Sequence, residues 1–147
     1  MKTVRDILKE RSYRELPVLV PDQSVLSAAQ FMRSKNIGAA GVIREDVLVG
    51  IVSERDMMSK VVSPGFDPRD VFVEQIMSEP LTTVSPEETW EACLNKMKES
   101  HCRHLPVVEN GRLLGMISLR DVLGSDEAEN LDTYLWDRTA RNEELVY

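Results

Sequence analysis

Gly50-Ile51-Val52-Ser53-Glu54-Arg55-Asp56 is written again sixty-five positions later as Gly115-Met116-Ile117-Ser118-Leu119-Arg120-Asp121. In both places an apolar run stops at a serine, and an arginine and an aspartate follow at the same spacing. This is how a buried strand reads when it ends at a serine that opens a helix. Such a junction turns backbone N–H groups toward the strand end, and an aspartate three residues on can face a sugar diol. The chain is therefore an internal duplication, and two related small-ligand sites are the leading expectation.

Working outward without a gap, residues 21–58 fall on 86–123 with eight identities: Pro21/Pro86, Met32/Met97, Val42/Val107, Leu48/Leu113, Gly50/Gly115, Ser53/Ser118, Arg55/Arg120 and Asp56/Asp121. Four of the eight lie in the seven-residue window quoted above, a clustering that chance matches at apolar positions would not give. Each copy predicts strand, helix, strand, strand, helix. Val18-Leu19-Val20 and Thr82-Thr83-Val84 read as short strands. Helices are expected over 22–35 and 86–100, the second with Ser85 as cap and Pro86 in its first position. Val25, Ala28, Ala29 and Met32 form one apolar stripe, and Trp90, Cys93, Leu94 and Met97 form its counterpart.

Strands follow at 39–43 and 47–52, then at 105–108 and 113–117, with Glu109-Asn110-Gly111 as a tight turn. The last helix of each copy opens at Ser53 or Ser118 and stops near Val62 or Leu123. Short helices at 4–10 and 71–77 precede the two copies. The resulting division is 1–65 for repeat 1 with its N-terminal helix, 66–124 for repeat 2, and 125–147 for an acidic helical tail. In that tail Leu131, Tyr134 and Leu135 give an apolar edge suited to sealing an interface. Met57-Met58 and Met97 are expected as core filler.

Composition narrows the function classes. Apolar residues make up 42% and aromatics 5%, so the core should be aliphatic, as in sheets covered by helices. No stretch reaches the roughly 20 apolar residues of a membrane span, and no apolar signal segment follows the N-terminal charges, so a cytoplasmic location is expected without membrane partners. Cys93 and Cys102 are too few and too unpatterned for a disulfide framework or a zinc or CxxC site. The net charge of −7 lacks the footprint of a nucleic-acid binder.

At this point the sequence resembles the CBS-domain family, paired as a Bateman module, over about residues 1–124. The carrying motifs are Gly-x-x-Ser-x-x-Asp written twice, Met97 to Val108 as M-x-x-x-x-x-R-H-L-P-V-V, and Thr82-Thr83-Val84-Ser85-Pro86. The likeness is to the small stand-alone bacterial members. It implies an α/β fold of two pseudo-symmetric βαββα repeats with a C-terminal helix, no catalysis of its own, and a homodimer made by pairing modules into a disc. It also implies a regulatory role: sensing AMP, ADP or ATP, with NAD or S-adenosylmethionine as further ligands, and passing a conformational change to a downstream protein.

Carried over residue by residue, the resemblance gives one cleft Ser53, Arg55 and Asp56, with Leu81, Cys102, Arg103 and His104 opposite. It gives the other Ser118, Arg120 and Asp121, with Leu16, Ile37, Gly38 and Ala39 opposite. In each cleft the aspartate would hold the ribose hydroxyls, and the serine with nearby basic groups would meet phosphate. The first copy has Gly38-Ala39-Ala40-Gly41 where the second has Arg103-His104-Leu105-Pro106, so the two clefts are expected to differ in affinity or ligand.

Other readings compete. Ser-x-x-Asp at a strand-to-helix junction is also a plain capping box, and in that case the module would be structural, a protein-interaction unit with non-functional clefts. His101, Cys102 and His104 invite a metal, but alternation along a strand keeps three ligands from converging. No nucleophile elbow, Walker loop or zincin helix is present. A redox enzyme working through Cys102 and bound NAD is the remaining catalytic possibility.

Overall fold

The computed structural model describes residues 2–10, 16–80 and 82–123. Its elements in chain order are α1 (Val4–Lys9), β1 (Val18–Leu19), α2 (Val25–Lys35), β2 (Ala39–Arg44), β3 (Val47–Ser53), α3 (Glu54–Met57), α4 (Val73–Ile76), α5 (Trp90–Ser100), β4 (His104–Glu109), β5 (Arg112–Ser118) and α6 (Leu119–Leu123). The helix begun by α3 continues with π geometry over Met58–Val62. The helical tail expected at 125–147 lies outside the described residues.

The chain divides into two compact units. In the unit holding repeat 1, β1 pairs parallel to β2, and β2 pairs antiparallel to β3 with Ala39 opposite Ser53. Alternation sends Val42 and Val52 inward, where they join Leu19, Val25, Ala28, Met32, Val61, Val73 and Ile76 in one buried cluster. In the unit holding repeat 2, Val84 bridges Val107 in parallel, as Leu19 does Val42, and β4 pairs with β5. There Val4, Ile7, Cys93, Met97, Leu105, Val107 and Ile117 are buried.

The packing units do not follow the division expected from the sequence. The N-terminal helix, expected with repeat 1, packs in the unit of repeat 2, and the helix preceding repeat 2 packs in the unit of repeat 1. Val4 N–H donates to the Glu88 carbonyl at 2.8 Å and Arg5 N–H to that of Pro86 at 2.9 Å, while Thr3 bridges Thr89. In the other unit Val73 N–H donates to Gln23 at 2.9 Å, Glu74 N–H to Pro21 at 3.0 Å, and Phe72 bridges Ser24. Ser24 and Thr89 are equivalent positions of the repeat, so the same exchange is made twice.

The exchange also corrects the helix starts. Ser85 and Glu88 do form the expected contact, Ser85 N–H donating to Glu88 at 2.7 Å, but it shapes a turn rather than a helix end. Thr89, extended at φ −78° and ψ 158° to meet Thr3, is the residue that caps α5; Ser24 caps α2 in the same way. A residue committed to an extended bridge cannot belong to the first helical turn, so both helices begin several residues later than the capping signals suggest.

Gly50 and Gly115 acquire a structural cause from the same exchange. A Cβ on Gly50 would lie 2.5 Å from Met77 Sδ, and one on Gly115 would lie 2.9 Å from Leu8 Cδ2. Each glycine is the bare patch of strand on which a side chain from, or next to, the exchanged helix rests. Ser78 pairs with Ile51 beside it, with both backbone bonds at 2.9 Å.

Candidate functional site

Each motif sits where a strand becomes a helix, and each serine is the cap. Ser53, at φ −116° and ψ 164°, accepts through its Oγ from Asp56 N–H at 3.2 Å. Asp56 Oδ2 accepts in return from Ser53 N–H at 2.9 Å and from Ser53 Oγ at 3.1 Å. The second motif repeats the pattern: Ser118 N–H and Oγ donate to Asp121 Oδ2 at 2.6 and 2.7 Å, and Asp121 N–H donates to Ser118 Oγ at 3.2 Å. Both carboxylates are thus folded onto their own helix beginnings. Thr3 and Asp6 make the same box at the start of α1, where no ligand is suggested, so capping alone accounts for this geometry.

The helix starts are also less open to an anion than the motif implied. Glu54 N–H donates to the Gly38 carbonyl at 2.9 Å, and its repeat counterpart Leu119 N–H donates to the Arg103 carbonyl at 2.8 Å. With the third N–H held by the serine, two of the first three donors are already used within each repeat. These bonds place Gly38 and Ala39 beside Ser53 in one unit, and Arg103 beside the start of α6 in the other.

The two motifs differ in burial and in the residue one turn beyond Asp56. Asp56 is 4% exposed and its second oxygen, Oδ1, lies 2.9 Å from Lys60 Nζ. Asp121 is partly buried, and the position matching Lys60 is Ser125, outside the described residues. Arg55 and Arg120 are both exposed. An exposed guanidinium one residue before a carboxylate offers donors for a phosphate beside an acceptor for a diol.

Of the remaining expected residues, Leu16, Ile37, Gly38, Ala39, Ser53, Arg55 and Asp56 belong to one unit, and Cys102, Arg103, His104, Ser118, Arg120 and Asp121 to the other. Leu81 lies outside the described residues. Cys102 is fully buried, its thiol donating to the Ser100 carbonyl at 3.2 Å. Burial, with the nearby negative charge of Glu88, pushes the Cys93 thiol up to about 12. Among the described residues no three His, Cys, Asp or Glu side chains form a metal-holding group, and no helix is long and apolar enough to cross a membrane. Met97 is buried, but Met58, expected in the core, is 58% exposed at the start of the π-helical turn.

Two repeats of strand, helix, strand, strand and helix, the first strand of the second copy being a single bridge at Val84, each end their last strand at a Ser-x-Arg-Asp helix start and define the class of fold. The profile of the CBS domain matches residues 4–63 and again 73–127, and the chain belongs to the CBS-domain family. An uncharacterized protein of Methanopyrus kandleri is 35% identical over 105 residues, which cover 70% of this chain and 54% of the relative; the chain thus spans about half of that relative's length. The structure of a candidate signal-transduction protein with CBS domains from Burkholderia ambifaria is 31% identical with a TM-score of 0.76, covering 99% of this chain and 100% of that one. A hexameric CBS-CP12 protein from bloom-forming cyanobacteria is 27% identical with a TM-score of 0.73, covering 95% and 85%.

Proposed function

We propose that the chain is a regulatory module that binds an adenine nucleotide, AMP, ADP or ATP first and NAD or S-adenosylmethionine as further candidates, and passes the change to a downstream protein. The observation that carries this reading is the second motif, where Asp121 is only partly buried beside the exposed Arg120. A carboxylate there can trade its serine bonds for two ribose hydroxyls, each charge-assisted bond worth roughly 1.5–3 kcal/mol. Family membership over both repeats and the signal-transduction character given to the Burkholderia relative support the same reading. The ligand shifts the module only by its difference in affinity between two arrangements.

The test is a thermal-shift series with AMP, ADP, ATP, NAD and S-adenosylmethionine at millimolar concentration. At least one should raise the melting temperature. Five unchanged melting curves would leave the rival reading, a structural interaction module.

We infer self-association as part of that role. Met58 and Val62 in the π-helical turn and Phe66 just beyond it are 58%, 69% and 60% exposed, large apolar side chains left open within nine residues. The hexameric assembly of the cyanobacterial relative supports this reading. Sedimentation should find a homodimer that Val62→Glu dissociates; a monomeric wild type contradicts it.

A further inference from the structure

Lys60 stands one helical turn beyond Asp56, and its ammonium lies between two acceptors. It is 2.9 Å from Asp56 Oδ1 and 2.8 Å from the backbone carbonyl oxygen of Ile76. Since Ser53 occupies Asp56 Oδ2 twice over, both oxygens of this buried carboxylate are engaged. Ile76 is the last residue of α4, whose terminal carbonyls have no partner inside so short a helix, and Lys60 supplies one. The next two residues are held to β3 as well: Met77 lies over Gly50 and Ser78 pairs with Ile51. A single cation therefore ties the ligand motif of repeat 1 to the helix that leads into repeat 2. In the sequence of the other copy Ser125 stands at the position of Lys60.

We propose that Lys60 competes with the ligand at Asp56 and latches α4. A sugar diol can take both carboxylate oxygens only after the ammonium leaves Oδ1, and that departure uncaps Ile76. Occupancy of the first motif is thereby converted into loosening of the segment that joins the repeats. The inference rests on the nucleotide reading above, and it adds direction to it: ligand at the first motif must displace Lys60, and that event reaches α4. Lys60 is a positioning residue that acts through Asp56 and Ile76.

Two measurements decide it. Hydrogen exchange of the free protein, read at the amides of Met77 and Ser78, should be several-fold faster in Lys60→Gln than in wild type, and Lys60→Arg, which keeps the cation, should restore slow exchange. Equal exchange in all three overturns the latch without reference to any nucleotide. Calorimetric titration with AMP is then run on Asp121→Ala, where only the first motif is left, with and without Lys60→Gln. The double variant should bind AMP three- to tenfold more tightly than the single one. Weaker or unchanged binding, or no binding by either while wild type binds, overturns the competition. No binding of AMP by wild type itself removes the nucleotide reading instead, and the competition with it, while the exchange result still stands or falls alone.

Discussion

The repeats share a capping box to within a few tenths of an ångström, yet one box is buried and the other only partly so. Asp56 is buried, bonded twice to Ser53 and ion-paired with Lys60. Asp121 makes the same two serine bonds from a partly exposed position. Duplication has kept the local geometry and let the surroundings diverge, so the four shared motif residues form a buried, ion-paired corner in one copy and a partly exposed one in the other. Wherever the copies differ at one equivalent position, each supplies the control for the other.

The largest difference is expected at high pH. Cys93 in α5 occupies the position of Ala28 in α2, and burial raises its thiol from 9.0 to about 12. The folded chain keeps that proton while the unfolded chain releases it, so this contribution is complete below pH 9 and is lost as pH rises toward 12. At about 1.4 kcal/mol per pKa unit the loss approaches ~4 kcal/mol. Urea unfolding at pH 7 and pH 10.5 should show about 2 kcal/mol of that fall in wild type, growing toward the full loss as pH nears 12, and Cys93→Ala, the residue the first repeat uses, should remove that part of it. An equal fall in both proteins would place the alkaline sensitivity elsewhere.

Next in size is the motif itself. Asp56→Ala should cost about 3 kcal/mol, since it orphans buried donors and breaks an ion pair, whereas Asp121→Ala should cost about 1 kcal/mol, the ordinary value of a lost cap. Chemical denaturation of the two variants side by side gives both numbers. Equal costs would mean that the difference in burial has no energetic weight.

The smallest effect belongs to the hairpin tips. Glu45 and Asp46 hold φ of 50° and 64°, where their equivalents Asn110 and Gly111 hold 53° and 78°. Side chains with a Cβ are strained there, asparagine less than most and glycine not at all. Asp46→Gly should stabilise the protein by about 0.5–1 kcal/mol and Gly111→Asp should destabilise it by a similar amount. The same sign for both substitutions would break the equivalence of the turns.

Much of this was legible in the sequence. Gly50, Ser53, Arg55 and Asp56 announce the duplication, the strand and helix alternation follows from Val42, Val52, Val107 and Ile117, and the Asn110-Gly111 tip names its own turn. The helix exchange was not legible. Nothing in Val4–Lys9 or Val73–Ile76 states which sheet each will cover, because two short apolar helices fit either face and only the bridges Thr3 to Thr89 and Phe72 to Ser24 decide. For the same reason Gly50 read as part of a ligand motif when Met77 is its immediate cause. The orientation of Asp56 was hidden as well, since a cap and a diol acceptor call for the same residue at the same spacing. Lys60 was readable as an i, i+4 partner, but its second bond, to Ile76, spans sixteen residues and leaves no local trace.

Calorimetric titration with AMP of wild type, Asp56→Ala and Asp121→Ala decides whether the motif carboxylates hold the ligand. Binding should survive Asp56→Ala at its tighter site and fall at least tenfold in Asp121→Ala. Identical isotherms for all three proteins, with heat or without it, would contradict a ligand role for the motif carboxylates.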